Sequence, residues 1–228
     1  MIDDQTITID GVYPQIKICG ITQIEQALWC TDLGADAIGC VFFPKSPRHV
    51  SDDKAREISD ALPNHVTSVG VFVGKTYQEI MGKVEKCNLR AVQLHGKESP
   101  ELVQQLKKEN LIVIKALFID GTPALEDVAS YEASGYIVEC SGGPLPGGNA
   151  LAWNWDKAKA FGGEYPLILA GGLSPENVKQ AIQDSMPDAV DVSSGVESSP
   201  GIKDLDKIKT FIDAVRQAKT SRPLREIY

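Results

Sequence analysis

Eight apolar runs of strand length alternate with eight helix-period stretches in this chain, and no other feature constrains its fold as tightly. The runs are Gln15 to Cys19, Ala37 to Phe43, Ser68 to Val73, Ala91 to His95, Ile112 to Phe118, Tyr136 to Cys140, Leu167 to Ala170 and Ala189 to Ser193. Their Val/Ile/Leu-rich character suits strands of a parallel sheet buried on both faces. The helical patterns between them are Gln23 to Leu33, Asp52 to Ala61, Tyr77 to Lys86, Pro100 to Glu109, Pro123 to Ala133, Trp153 to Phe161, Pro175 to Gln183 and Leu205 to Lys219. Thr22 is the candidate N-cap of the first, and Ser99-Pro100 and Ser174-Pro175 each set a capping serine before a proline at the first helical position. Eight βα units in 228 residues match the arithmetic of a single (β/α)8 TIM barrel. A doubly wound open sheet is the alternative.

Bulk properties narrow the function classes. With 31 acidic and 23 basic residues the net charge is -8, and the cations are dispersed, which excludes a nucleic-acid partner. No apolar run approaches the roughly 20 residues of a membrane span, and Met1-Ile2-Asp3-Asp4 lacks the basic and apolar regions of a signal peptide. A cytoplasmic protein with no membrane partner is expected. The cysteines Cys19, Cys30, Cys40, Cys87 and Cys140 are odd in number and lack C-x-x-C spacing, which argues for reduced thiols rather than disulfides or zinc. The barrel is expected over 15–220, with 1–14 as an extension and 221–228 as a polar, mobile tail. In the extension, the alternation Thr6-Ile7-Thr8-Ile9 reads as a short strand or hairpin over the barrel's amino-terminal face.

In such barrels chemistry gathers at the carboxyl ends of the strands, and the last two βα loops often hold phosphate. The first run ends in Cys19-Gly20-Ile21-Thr22, which places a thiol at that end. After the seventh run comes Ala170-Gly171-Gly172-Leu173-Ser174, where glycines let backbone approach a ligand at a helix start. After the eighth comes Asp191-Val192-Ser193-Ser194-Gly195-Val196-Glu197. Gly171, Gly172, Ser193, Ser194 and Gly195 are therefore candidate phosphate-binding residues, and a sugar phosphate is the ligand they fit. No Walker-type or G-x-G-x-x-G motif is present, so nucleoside triphosphates and dinucleotides are not indicated.

The segments Lys17-Ile18-Cys19-Gly20-Ile21-Thr22, Gly39 to Arg48, Val69 to Val73, Val92-Gln93-Leu94-His95-Gly96, the two phosphate loops and Ser199 to Asp204 occur in an order that resembles the phosphoribosylanthranilate isomerase family. The resemblance implies a (β/α)8 fold, no cofactor and no metal, consistent with the lack of metal spacing among His49, His65 and His95. It implies a monomer or homodimer acting on a small phosphorylated sugar-amine. The implied reaction is an Amadori rearrangement in tryptophan biosynthesis, in which an acid opens the ribose ring and a base removes the C2′ proton. The base matches Cys19, whose thiolate needs positive charge nearby, from Lys17 or Arg48. Lys17, Arg48, Gln93 and His95 are the candidate substrate-binding residues; Gln93 and His95 have barrel filling as their other reading.

The chain departs from the family in one βα unit. The family's aspartate at the end of strand six is replaced by Glu139 in Ile137-Val138-Glu139-Cys140, and the following Gly-Gly-Thr-Gly-Lys-Thr-Phe-Asp-Trp pattern by Gly147-Gly148-Asn149-Ala150-Leu151-Ala152-Trp153-Asn154-Trp155. Glutamate carries the same proton, but its extra methylene moves the carboxyl group by about one bond length. Three readings follow: an isomerase with Cys19 as base and Glu139 as acid, a paralogue acting on another phosphorylated N-glycoside or sugar phosphate, and a non-catalytic phosphate-binding barrel. Strand alternation is expected to turn Glu139 inward and Cys140 outward. Cys40 reads as core. Asp191 and Glu197, which would repel a phosphate, are expected to orient backbone or hydroxyls.

Overall fold

A computed structural model describes residues 12–141, 152–218, 220 and 222–228. Eight parallel strands, β1 (Gln15–Cys19), β2 (Ala37–Val41), β3 (Thr67–Phe72), β4 (Ala91–Leu94), β5 (Ile112–Phe118), β6 (Gly135–Glu139), β7 (Leu167–Leu169) and β8 (Ala189–Val192), form a closed barrel in chain order. β1 closes on β8 with Lys17 opposite Asp191. The closed ring excludes the open sheet. Two short antiparallel strands, β9 (Glu197–Ser199) and β10 (Ile202–Lys203), lie beyond the barrel's last strand.

The period-2 alternation of each strand divides its side chains between two environments. Ala37, Val69, Ala91, Ile114, Ile137, Ile168 and Ala189 pack inside the barrel. Ile16, Ile18, Ile38, Cys40, Val92, Leu94 and Val138 pack outward in the larger core shared with the helices. Cys40 is thus core, as expected. The same alternation sets Gln15, Lys17 and Cys19 on the inward face of β1, and Ile137 and Glu139 on that of β6.

The helices are α1 (Ile24–Leu33), α2 (Asp52–Ala61), α3 (Tyr77–Cys87), α4 (Pro100–Lys107), α5 (Lys159–Glu164), α6 (Val178–Ser185) and α7 (Leu205–Gln217). Ser51, Thr76, Ser99 and Asp204 cap α2, α3, α4 and α7. Three expectations are corrected. Thr22 does not cap α1: Gln23 holds that position, and the Thr22 hydroxyl donates to the Gly201 carbonyl. The helix after β5 is reduced to a 3-10 turn, Leu125–Ser130, with Val128 its one buried residue and so no i, i+4 stripe to pack. The helix after β7 begins at Val178 rather than Pro175, because Asn177 folds its side chain back to accept from the Ser174 N–H and donate to the Gly172 carbonyl.

The tail expected to be mobile is docked instead. Gln15 Oε1 accepts from the Ile227 N–H at 2.7 Å, and its amide donates to the Tyr228 carbonyl. The Arg225 guanidinium donates to the carbonyls of Gly162, Gly163 and Tyr165 and to Asp188. The Thr6–Ile9 alternation lies outside the described residues.

Candidate active site

The mouth of the barrel is built from strand ends. Cys19 ends β1 and packs with Val41 and Val71, with Phe43 against them. Gly39, its partner in register, leaves room for the thiol: a Cβ there would come within 2.9 Å of the Cys19 sulfur. Lys17, one inward position below, is fully buried and donates to Asp191 at 2.8 Å. The Lys17 ammonium and the Cys19 thiol act on each other's charge. Burial disfavours the Lys17 ammonium, but Asp191 and Cys19 more than offset this and its pKa is raised. The thiol moves the other way from the expectation of a ready thiolate. Burial, with Asp191, pushes the Cys19 pKa up against the pull of Lys17 and Lys203. Asp191 takes up the Lys17 charge that the thiolate was expected to use.

Across the barrel, Glu139 points inward and is buried. His95 Nε2 lies 2.8 Å from Glu139 Oε1, and Gln93 Nε2 lies 2.9 Å from His95 Nδ1. With the Gln93 amide nitrogen on this side, it donates to His95 Nδ1, and His95 Nε2–H donates to the glutamate. Gln93 and His95 thus form a file that holds Glu139, and Phe118 meets the His95 ring edge to face at 5.9 Å. A buried pair outside the wall fixes the loop after β4. Glu98 accepts from the Gly74 and Gly96 N–H groups, and Lys115 donates to Glu98 and to the Gly96 carbonyl.

Arg48 is buried, at 6 % exposure. Its stem crosses Gly20, where a Cβ would approach Arg48 Cδ to 2.5 Å, and its fork binds Glu197 with two 2.8 Å bonds. Lys203 donates to the same carboxylate and to the Ser193 carbonyl. Burial opposes the Glu197 charge, but Arg48 and Lys203 outweigh it and hold its pKa below the usual carboxylate range. Asp191 and Glu197 therefore balance buried cations with their side chains, where backbone and hydroxyls had been expected.

The two candidate phosphate loops interlock. Gly171 and Gly172 both adopt left-handed backbone, at φ +85° and +70°. At Gly195 a Cβ would overlap the Leu173 carbonyl, so only glycine lets the loop after β8 sit against the loop after β7. Ser194 opens a single 3-10 turn, Ser194–Val196, and the Ser193 hydroxyl donates to the Cys19 carbonyl at 3.0 Å, tying this loop to the end of β1. Trp153 donates to the Ala170 carbonyl and lies beside Gly171, whose Cβ would meet both the indole and Glu139. The altered loop segment Gly147 to Leu151 lies outside the described residues. Sequence reasoning gave no role to Lys203, Asn177 or the Glu98–Lys115 pair. The Glu98–Lys115 pair is set by topology, across 17 residues, whereas Asn177 and Lys203 act within their own loops, on Ser174 and Gly172 and on Glu197, where the S-P-E-N and G-I-K-D runs offered the local signal.

A family model described as N-(5'phosphoribosyl)anthranilate (PRA) isomerase matches residues 16–214. A relative of that name from Desulfatibacillum aliphaticivorans is 52% identical over 214 residues, covering 94% of this chain and 98% of its own. The crystal structure of phosphoribosyl anthranilate isomerase from Thermotoga maritima aligns with a TM-score of 0.82 at 40% identity, covering 90% of this chain and 99% of that one. A second structure, in complex with reduced 1-(o-carboxyphenylamino)-1-deoxyribulose 5-phosphate, aligns with a TM-score of 0.80 at the same identity and coverage.

Proposed function

Because the chain belongs to the N-(5′-phosphoribosyl)anthranilate isomerase family, we propose that Cys19 and Glu139 are the proton-transfer pair of its reaction. The protein is an isomerase of tryptophan biosynthesis that acts on a phosphorylated substrate, converting N-(5′-phosphoribosyl)anthranilate to 1-(2-carboxyphenylamino)-1-deoxyribulose 5-phosphate. In our reading Glu139, protonated, donates from Oε2 to the ribose ring oxygen, and the C1′–oxygen bond breaks to give an open imine. Cys19, as the thiolate that Lys17 and Lys203 favour against burial, then removes the C2′ proton, and the enolamine tautomerises to the ketone. The isomerisation leaves no net change in protons.

The remaining groups position the substrate. The interlocked loops with Gly171, Gly172, Ser193, Ser194 and Gly195 receive the phosphate. Arg48, braced by Glu197, offers its remaining Nη1 donors to the ring carboxylate. Lys17 sits below the mouth and acts through Cys19. One domain over 15–220 carries the whole site, so a monomer and a homodimer hold the same machinery. The cytoplasm is the compartment this reading assigns, in keeping with the free thiols of Cys19, Cys30, Cys40 and Cys87.

The observation that carries the assignment is the Gln93–His95–Glu139 file. It fixes one carboxylate oxygen in the barrel interior and leaves the other for the substrate. Replacing the carboxyl by an amide tests it. Glu139→Gln is expected to lower kcat by about 10²–10⁴, while the reduced product analogue still binds within about twofold of wild type. A kcat within about fivefold of wild type would refute Glu139 as the acid. Cys19→Ala is the matching test of the base.

A further inference from the structure

The segment 222–228 lies beyond the family match, which ends at residue 214, yet it reaches the barrel interior. Ile227 is buried among Ile114, Ile137, Ile168 and Ala189, and Tyr228 packs against the same inner set. β6 begins with a glycine at this point: a Cβ on Gly135 would press on Ile227 Cγ2 at 3.1 Å. Gln15 takes both the Ile227 and Tyr228 N–H groups on one oxygen. Arg222 and Arg225 fasten the start of the segment to Asp188, whose side chain is fully buried. The Tyr228 hydroxyl is buried with no hydrogen-bond partner among the described residues. Its surroundings include Asp191, Cys19 and Asp36, which places the phenol under the charged centre of the barrel.

We propose that residues 222–228 are a positioning segment that closes the amino-terminal end of the barrel, keeping the Lys17–Asp191 pair dry and thereby fixing Cys19. Gln15, Lys17 and Cys19 share one strand face, each about 6.6 Å from the next, so a seal at Gln15 is two side chains below the thiol. Cys19 is faced by Lys17 from its own strand, Asp191 from β8 and Lys203 from β10. All three are charged. The Tyr228 ring supplies the neutral floor beneath them, so its contribution is exclusion of water. Without it, solvent screens the ion pair and hydrates the thiolate.

The inference rests on Cys19 being the base, and the test separates the two. In the full-length chain, Tyr228→Ala and Tyr228→Phe are compared by the pH dependence of Cys19 alkylation with iodoacetamide, read on the Cys19 peptide, and by kcat and KM. Tyr228→Ala is expected to move the alkylation midpoint down by about one pH unit and to lower kcat about tenfold with KM within about twofold, since the phosphate loops lie at the other end. Tyr228→Phe keeps the ring and is expected to keep the wild-type profile. An unmoved midpoint in Tyr228→Ala overturns the proposal. If that variant does not fold, Tyr228→Leu takes its place, with a smaller shift in the same direction expected and an unmoved midpoint again overturning it. Alkylation does not require turnover, so activity surviving in Cys19→Ala would sink the base assignment without touching this result.

Discussion

Asp191→Asn removes one charge from the centre of the barrel without changing the shape of the side chain, and the contacts around Lys17 set the size of the effect. Lys17 is fully buried and its ammonium is 2.8 Å from Asp191. At an effective dielectric of about 20, that separation corresponds to about 6 kcal/mol of attraction before desolvation. Breaking a buried pair from one side typically costs about 3–5 kcal/mol, because the surviving ion remains uncompensated. The asparagine oxygen still accepts from Lys17, so the low end applies, about 3 kcal/mol. For a chain of this length that is a fall in Tm of about 6–12 °C. The thiol responds in the opposite sense to stability. Asp191 pushes the Cys19 pKa up and Lys17 pulls it down; with Asp191 neutral, the Cys19 thiolate becomes the partner of Lys17 and its pKa falls. Thermal unfolding followed by circular dichroism reads the first effect, and peptide-resolved alkylation against pH reads the second. A Tm within about 2 °C of wild type, or a Cys19 midpoint that rises, would show that Lys17 is not held as a charged pair beneath the thiol.

Two further outcomes come from the loop packing and the buried thiols. Gly195→Ala puts a methyl group into the Leu173 carbonyl and forces the two phosphate loops apart, so affinity for the reduced product analogue, measured by calorimetry, is expected to fall at least about tenfold; unchanged affinity would take Gly195 out of the site. Burial pushes the Cys30 and Cys40 thiols up to about 12 from 9.0. The folded state therefore holds these protons more tightly than the unfolded chain. Their stabilisation is complete below about pH 9 and is lost as pH rises towards about 12. Urea midpoints are expected to drop across that window, and less so in a Cys30→Ala, Cys40→Ala double variant; identical pH profiles for the two proteins would refute the account.

The eight strands are legible because each one carries its own apolar signal, and their bounds agree with the structure to within a residue or two. The helices after β5, β6 and β7 depart from the sequence pattern: the first has no apolar stripe to pack, the second opens as a 3-10 turn, Trp155–Ala158, before α5, and the third starts late where Asn177 folds back. Alternation lets only one of Glu139 and Cys140 face inward, and Glu139 is the one that meets His95 inside the barrel. The partners of the charged residues are not readable. Lys17 meets Asp191, Arg48 meets Glu197, and His95 meets Glu139 across 174, 149 and 44 residues of chain. Barrel closure creates these pairings, and nothing in local spacing announces them. The tail shows the same limit from the other side. Its polar composition suggests mobility, while Ile227 and the ring of Tyr228 supply the apolar surface that docks it.

The closing seam between β1 and β8 has a consequence in time. Folding proceeds as the chain emerges from the amino-terminal end, and contacts between distant residues form late because loop closure must come first. Cys19 lies near the start of the chain, but Asp191, Ser193, Lys203 and Tyr228, which define its surroundings, all come from the last part. A nascent chain that has completed β1 to β7 holds the thiol on an open edge, with no ion pair below it and no loop tied to its carbonyl. The catalytic centre is among the last parts of the molecule to assemble, so an incomplete copy is an inert one.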